Sequence, residues 1–158
     1  MVNHPITPCL WFDGQAEEAA KFYISVFKNS KINTISHYGK EGFEVHGQKE
    51  GTVMTVEFEI NGQPFTGLNG GPIFKFNEAV SFQVFCDTQQ EIDDYWEKLT
   101  KDGGQEIACG WLKDKFGLSW QIVPSILPKL MSDPKRAGRV MEVFMKMIKF
   151  DIEKLLQA

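Results

Sequence analysis

One pattern constrains this chain more than any single motif: a run of strand, helix and three strands occurs twice in order. In the first run, Ile6 to Phe12 reads as a strand, broken by Asp13-Gly14. Ala16, Ala19, Ala20, Tyr23 and Phe27 then recur at helical spacing. Lys31 to Tyr38 is rich in Ile and Thr and reads as a strand, followed by a loop from Gly39 to Gly51. Val53 to Ile60 alternates, with Met54, Val56, Phe58 and Ile60 on one face and Thr55, Glu57 and Glu59 on the other. Asn61-Gly62 is a strong hairpin signal, and Gln63 to Leu68 is the returning strand.

The second run repeats the order. Val80 to Cys86 places Val80, Phe82, Val84 and Cys86 opposite Ser81, Gln83 and Phe85. Ile92, Tyr95, Trp96 and Leu99 mark an amphipathic helix closed by Gly103-Gly104. Gln105 to Cys109 and Trp111-Leu112 are short strands. Leu118 to Val123 sets Trp120 and Ile122 opposite Ser119 and Gln121. The tail then leaves the repeat. Ile126 to Met131 reads as a helical turn, Ser132-Asp133-Pro134 as a helix start, and Val140, Phe144, Met147, Ile148, Ile152 and Leu155 as an apolar helical stripe.

Composition sets limits on function. The 158 residues are 42% hydrophobic and 24% charged, a globular mix that suits one domain. The net charge of -4 carries no basic footprint for nucleic acid. No apolar run reaches the roughly 20 residues of a membrane-spanning helix. His4, Pro5 and Pro8 stand where a leader would need a basic region and an apolar core, so a cytoplasmic location is expected. Cys9, Cys86 and Cys109 have no CxxC spacing and are expected to be buried hydrophobes.

Phe22-Tyr23 in the first helix, and Trp111-Leu112-Lys113-Asp114-Lys115-Phe116-Gly117 before the last strand, resemble the vicinal-oxygen-chelate superfamily of glyoxalases, extradiol dioxygenases and bleomycin-resistance proteins. Thr52 to Phe58, Leu68-Asn69-Gly70-Gly71-Pro72 and Cys109 to Gln121 resemble its PhnB-like group, often labelled 3-demethylubiquinone-9 3-methyltransferase. The resemblance implies an α+β fold: two βαβββ repeats forming a curved half-barrel sheet, helices on the convex face, and C-terminal helices. It would make residues 1–158 a single glyoxalase-like domain, with units at 6–69 and 80–123 and a helical tail at 125–157. It further implies a homodimer and a concave cleft lined by the polar faces.

Superfamily enzymes hold a divalent ion with His and carboxylate donors. Carried over by resemblance, those positions fall near Thr7 or Pro8, at Ser81, at Gln121, and near Thr66 to Asn69. The register of the fourth, near Thr66 to Asn69, is open; none of the other three carries a strong ligand, and His4, His37 and His46 match no ligand position. No metal and no cofactor are therefore expected. The methyltransferase label fares no better, because the first turn, Phe12-Asp13-Gly14-Gln15-Ala16, has one glycine and not a glycine-rich phosphate or nucleotide loop. The expected function is binding of a small organic ligand by Phe12, Glu57, Asn69, Ser81, Gln83, Phe85, Trp111 and Gln121. The alternative is an isomerase, lyase or transferase acting on a small oxygenated substrate, with Glu57 as catalytic general base.

Overall fold

A computed structural model describes residues 6–158. His4 lies outside the described residues. The chain divides into two compact units, residues 1–75 and 76–158. The twofold βαβββ order is present, and the fold is α+β. Among the described residues no helix is long and apolar enough to cross a membrane.

The first unit runs β1 (Cys9–Phe12), α1 (Ala16–Val26), β2 (Lys31–His37), α2 (Phe43–His46), β3 (Val53–Ile60) and β4 (Gln63–Asn69). Its sheet has the order β1-β4-β3-β2, with β1 and β4 parallel and the other pairs antiparallel. Ile60 pairs with Gln63 across Asn61 and Gly62, whose φ values are 48° and 80°. Two successive positive φ angles make the tight turn that matches the twist of a hairpin. One face of the sheet packs on α1. Val56, Phe58 and Phe65 are buried there with Ala16, Ala19, Ala20 and Tyr23. Phe58 stacks between Tyr23 at 6.1 Å and Phe65 at 5.6 Å. The alternation that the sequence shows in β3 thus sorts core from surface.

The first strand differs from its expected span and face. It begins at Cys9, because residues 6–8 make no ladder, although the Pro8 carbonyl accepts from the Thr66 N–H at 3.0 Å. Leu10 and Phe12 are the buried residues, at 5% and 3% exposure, while Cys9 is exposed and Trp11 half-buried. The loop after β2 also contains a helical turn, α2, which its four glycines concealed.

The second unit runs β5 (Ser81–Cys86), α3 (Gln89–Thr100), a 3-10 turn (Lys101–Gly103), β6 (Gln105–Glu106), β7 (Trp111–Lys113), β8 (Ser119–Pro124), α4 (Leu127–Ser132), α5 (Ala137–Phe144) and α6 (Ile152–Gln157). Its strand order, β5-β8-β7-β6, repeats the pattern of the first unit. α3 starts at a capping box: Thr88 Oγ1 accepts from the Glu91 N–H and Glu91 Oε2 accepts from the Thr88 N–H, both at 3.2 Å. Ile92, Trp96 and Leu99 bury one face of α3 in the core that holds Leu112, Trp120 and Ile122.

Two expectations are corrected here. The strand expected over Gln105 to Cys109 is two residues long, and the chain then turns through Cys109 at φ 60°. The apolar stripe of the tail is not one continuous surface. The Cys109 and Gly110 N–H groups donate to the carbonyls of Met147 and Ile148, both at 2.8 Å, so residues 147–148 pair with this turn and not with a helix. Phe150, 3% exposed, lies against Gly110, where a Cβ would collide with its ring. The Gln89 side chain closes the clasp, donating to the Phe150 carbonyl at 3.0 Å and accepting from the Ile152 N–H at 2.9 Å. Ile148 is left 54% exposed.

Candidate functional site

The sheet of the second unit gathers four of the expected ligand-binding side chains. In the parallel pair β5–β8, Ser81 faces Ser119 and Gln83 faces Gln121. In the antiparallel pair β7–β8, Trp111 faces Gln121 and Lys113 faces Ser119. Strand alternation places all of these on the sheet face opposite α3, because Phe82, Leu112, Trp120 and Ile122 take the other side. Gln83 Nε2 donates to Gln121 Oε1 at 3.3 Å, and Gln121 Nε2 donates to Ser81 Oγ at 2.8 Å. Ser81, Gln83, Trp111 and Gln121 therefore share one polar surface. Phe85 continues it along β5 and is 54% exposed.

The turn before β8 holds this surface in register. Asp114, 2% exposed, accepts from the N–H groups of Phe116 at 2.9 Å and Leu118 at 3.1 Å. Its second oxygen accepts from Trp120 Nε1 at 2.9 Å. A charged acceptor at a tight turn satisfies donors that burial would otherwise strand.

A groove of about 370 Å³ opens beside Trp111, lined by Glu78, Ile107, Ala108 and Cys109. Glu78 forms an ion pair with Lys113. That hydrogen bond holds the Glu78 carboxyl below the usual carboxylate range. No spacing rule links Glu78 to Lys113, and the pair has no signature in the sequence. The Ser119 hydroxyl is fully buried and is the buried side-chain group without a hydrogen-bond partner among the described residues.

In the first unit the expected residues separate. Glu57 is exposed on the face away from α1, across from Thr66. Thr55 shares that face and makes a 2.6 Å hydroxyl contact with Ser36. Phe12 does not share it. It lies in the core with Leu10, and Trp11 takes the outward position, with Nε1 donating to the Gly71 carbonyl at 2.8 Å. Asn69 pairs with Phe12 in register and is 5% exposed. Its amide is committed to the fold: Oδ1 accepts from the Ala16 N–H at 2.9 Å and Nδ2 donates to the Val53 carbonyl at 3.0 Å.

The residues at the metal positions implied by resemblance do not fit a divalent transition metal. Gln121 Oε1 accepts from Gln83, and Ser81 Oγ accepts from Gln121. Such ions favour several imidazole or carboxylate donors. Among the described residues no three His, Cys, Asp or Glu side chains stand together to hold an ion. His37 is exposed on β2, and both ring nitrogens of His46 contact backbone, Nδ1 the Gln48 N–H at 2.9 Å and Nε2 the Glu41 carbonyl at 3.1 Å. Cys86 is buried as expected, whereas Cys9 is exposed and Cys109 half-buried.

Comparison with known proteins agrees with this architecture. No curated protein matches the chain. A PhnB protein from Bacillus cereus, bearing a 3-demethylubiquinone-9 3-methyltransferase label, is 39% identical; the match covers 77% of this chain and 100% of that one, with a TM-score of 0.67. Protein PA1353 from Pseudomonas aeruginosa is 16% identical over 77% of this chain and 98% of its own, with a TM-score of 0.59. The fosfomycin resistance protein FosX from Mesorhizobium loti is 13% identical over 84% and 100%, with a TM-score of 0.58. These last two show a shared fold alone. Residues 4–123 match the family described as 3-demethylubiquinone-9 3-methyltransferase, and with the PhnB likeness this establishes that the chain belongs to that family.

Proposed function

We propose that this protein binds a small organic ligand on the polar sheet face of its second unit, without a transition metal. The observation that carries the reading is the groove beside Trp111, whose strand partner Gln121 belongs to the hydrogen-bonded series Gln83, Gln121 and Ser81. An apolar recess beside a few fixed polar groups is the usual make-up of a ligand site. The family's description does not extend the reading to methyl transfer: Gly70-Gly71 leads into Pro72 and not into a helix, so a glycine-rich helix-opening loop for a nucleotide-like methyl donor is lacking there. The test is a screen of small organic molecules by calorimetry and mass spectrometry. Saturable binding with no product supports binding alone, and an absence of any saturable ligand overturns it.

A second reading is an enzyme acting on a small oxygenated substrate, with Glu57 as general base. Its support is the position of Glu57, exposed on the polar face of the first unit beside Thr66. Loss of turnover in Glu57→Gln with binding retained would favour it. The proposal includes a homodimer, supported by the resemblance and by exposed Met141, Met145, Ile148 and Leu156 on the tail. Sedimentation velocity of the whole chain, and of a chain ending at Pro134, checks that part.

A further inference from the structure

We propose that the polar face of the second unit is a receptor for a small organic carboxylate with an apolar body, and that Glu78 occupies the head-group position on Lys113 until such a ligand displaces it. This rests on the binding reading above and names its ligand class.

Hydrogen-bond directions point to an anion. Ser81, Ser119 and Lys113 form one row across three adjacent strands. Gln83 donates to Gln121, and Gln121 donates to Ser81 Oγ, so the series ends on a hydroxyl that still has a proton to give. The Ser119 hydroxyl, between Ser81 and Lys113 in that row, is fully covered. A hydroxyl with a proton to give and an ammonium on one sheet face suit a carboxylate, which only accepts.

Glu78 already shows which group fits. Its carboxylate pairs with Lys113, yet its side chain is 57% exposed against 23% for Lys113. The cation belongs to the sheet and the anion reaches it from the segment between β4 and β5. An ion pair open to water on one side is weak and exchangeable. The same Glu78 borders the groove whose other walls, Ile107, Ala108, Cys109 and Trp111, offer an apolar surface. Trp111 and Lys113 are two residues apart on β7, so head and body sites lie about 7 Å apart on one face. That spacing matches a carboxylate one or two carbons from a ring.

The test titrates isotope-labelled protein with phenylacetate and, separately, with its neutral analogue 2-phenylethanol, following the Lys113 and Ser119 amides and the Trp111 indole by NMR. Phenylacetate is expected to shift all three saturably and to bind at least about tenfold more tightly than 2-phenylethanol. Glu78→Gln, which removes the internal competitor, is expected to bind phenylacetate about threefold more tightly. Lys113→Met is expected to bind it about tenfold more weakly. Because Glu78 is exposed, its substitution leaves the core untouched and the test does not depend on Lys113→Met folding. Equal binding of the two probes, or no gain in Glu78→Gln, overturns the carboxylate assignment and leaves the ligand-binding reading standing. No shift from phenylacetate in either wild type or Glu78→Gln overturns it as well, and the broader screen then decides the binding reading by itself.

Discussion

Asn69 Oδ1 accepts a hydrogen bond from the Ala16 N–H at 2.9 Å, tying the end of β4 to the first turn of α1. The first-turn donors of a helix have no partner within it, and α1 has no side-chain cap from its own N-cap residue. Asn69 supplies one from 53 residues away. Asn69→Ala is expected to destabilise the protein by about 1–3 kcal/mol, because two buried or half-buried backbone groups lose their partner. Urea denaturation measures it. A change within error would mean that water replaces the amide.

Asp114 has a comparable role in the second unit. Three donors converge on its carboxylate, from Phe116, Leu118 and Trp120. Asp114→Ala is expected to cost about 3 kcal/mol and to disturb the turn that aligns Ser119 with Lys113. Thermal unfolding gives the first quantity, and amide shifts of β8 give the second.

Acid is expected to loosen the tail before the sheet. The hydrogen bond from Lys149 holds the Asp93 carboxyl below its usual range, with the two groups 2.6 Å apart. The Lys154 side chain lowers Asp151 likewise. A carboxyl depressed in the folded state stabilises it above the unfolded value, about 4, and loses that contribution as pH falls through the folded value. Both pairs are solvent-exposed, so the Asp93 effect is under about 1 kcal/mol. The Ile152 amide resonance should move between pH 5 and pH 2 while the β8 resonances hold. Simultaneous loss of both would show that the tail and sheet unfold as one.

Cysteine chemistry is expected to divide by burial. Desolvation first, then the Glu91 and Asp87 charges, push the Cys86 thiol up to about 12. Scarcely any thiolate exists there at pH 8, and Cys86 is 1% exposed. Iodoacetamide should label exposed Cys9 in the native protein and reach Cys86 after denaturation. Peptide masses before and after urea check this, and native labelling of Cys86 would contradict its burial.

Untagged protein prepared without chelator is expected to hold zinc, nickel, iron and manganese well below one ion per chain. Elemental analysis measures it. A stoichiometric ion would overturn the donor argument made for Gln121 and Ser81, and would favour metal-dependent chemistry.

The two βαβββ units were legible because β3 and β8 alternate cleanly and Asn61-Gly62 marks its own turn. β1 was harder. Cys9-Leu10-Trp11-Phe12 is apolar on both faces, so period two could not choose between Trp11 and Phe12, and the core contacts of Phe12 decided it. Alternation put Ser81 with Gln83 and Ser119 with Gln121, the resemblance put both faces and Trp111 at one cleft, and strand pairing brings Ser81, Gln83, Trp111 and Gln121 together. The structural use of Asn69 was not legible, since its partners Ala16 and Val53 are distant in sequence. The Glu78–Lys113 pair and the clasp of Gln89 on Phe150 and Ile152 arise from tertiary approach, which no local pattern records.

The docking of Met147 and Ile148 on Cys109 and Gly110 makes the tail part of the architecture around Trp111. The family match ends at residue 123, and the tail lies beyond it. Yet its carbonyls fix the turn that forms one wall of the groove beside Trp111. A segment outside the family match thus shapes a recess on the matched sheet, and a change in residues 147–150 would reach that recess through the backbone and not through any side chain lining it.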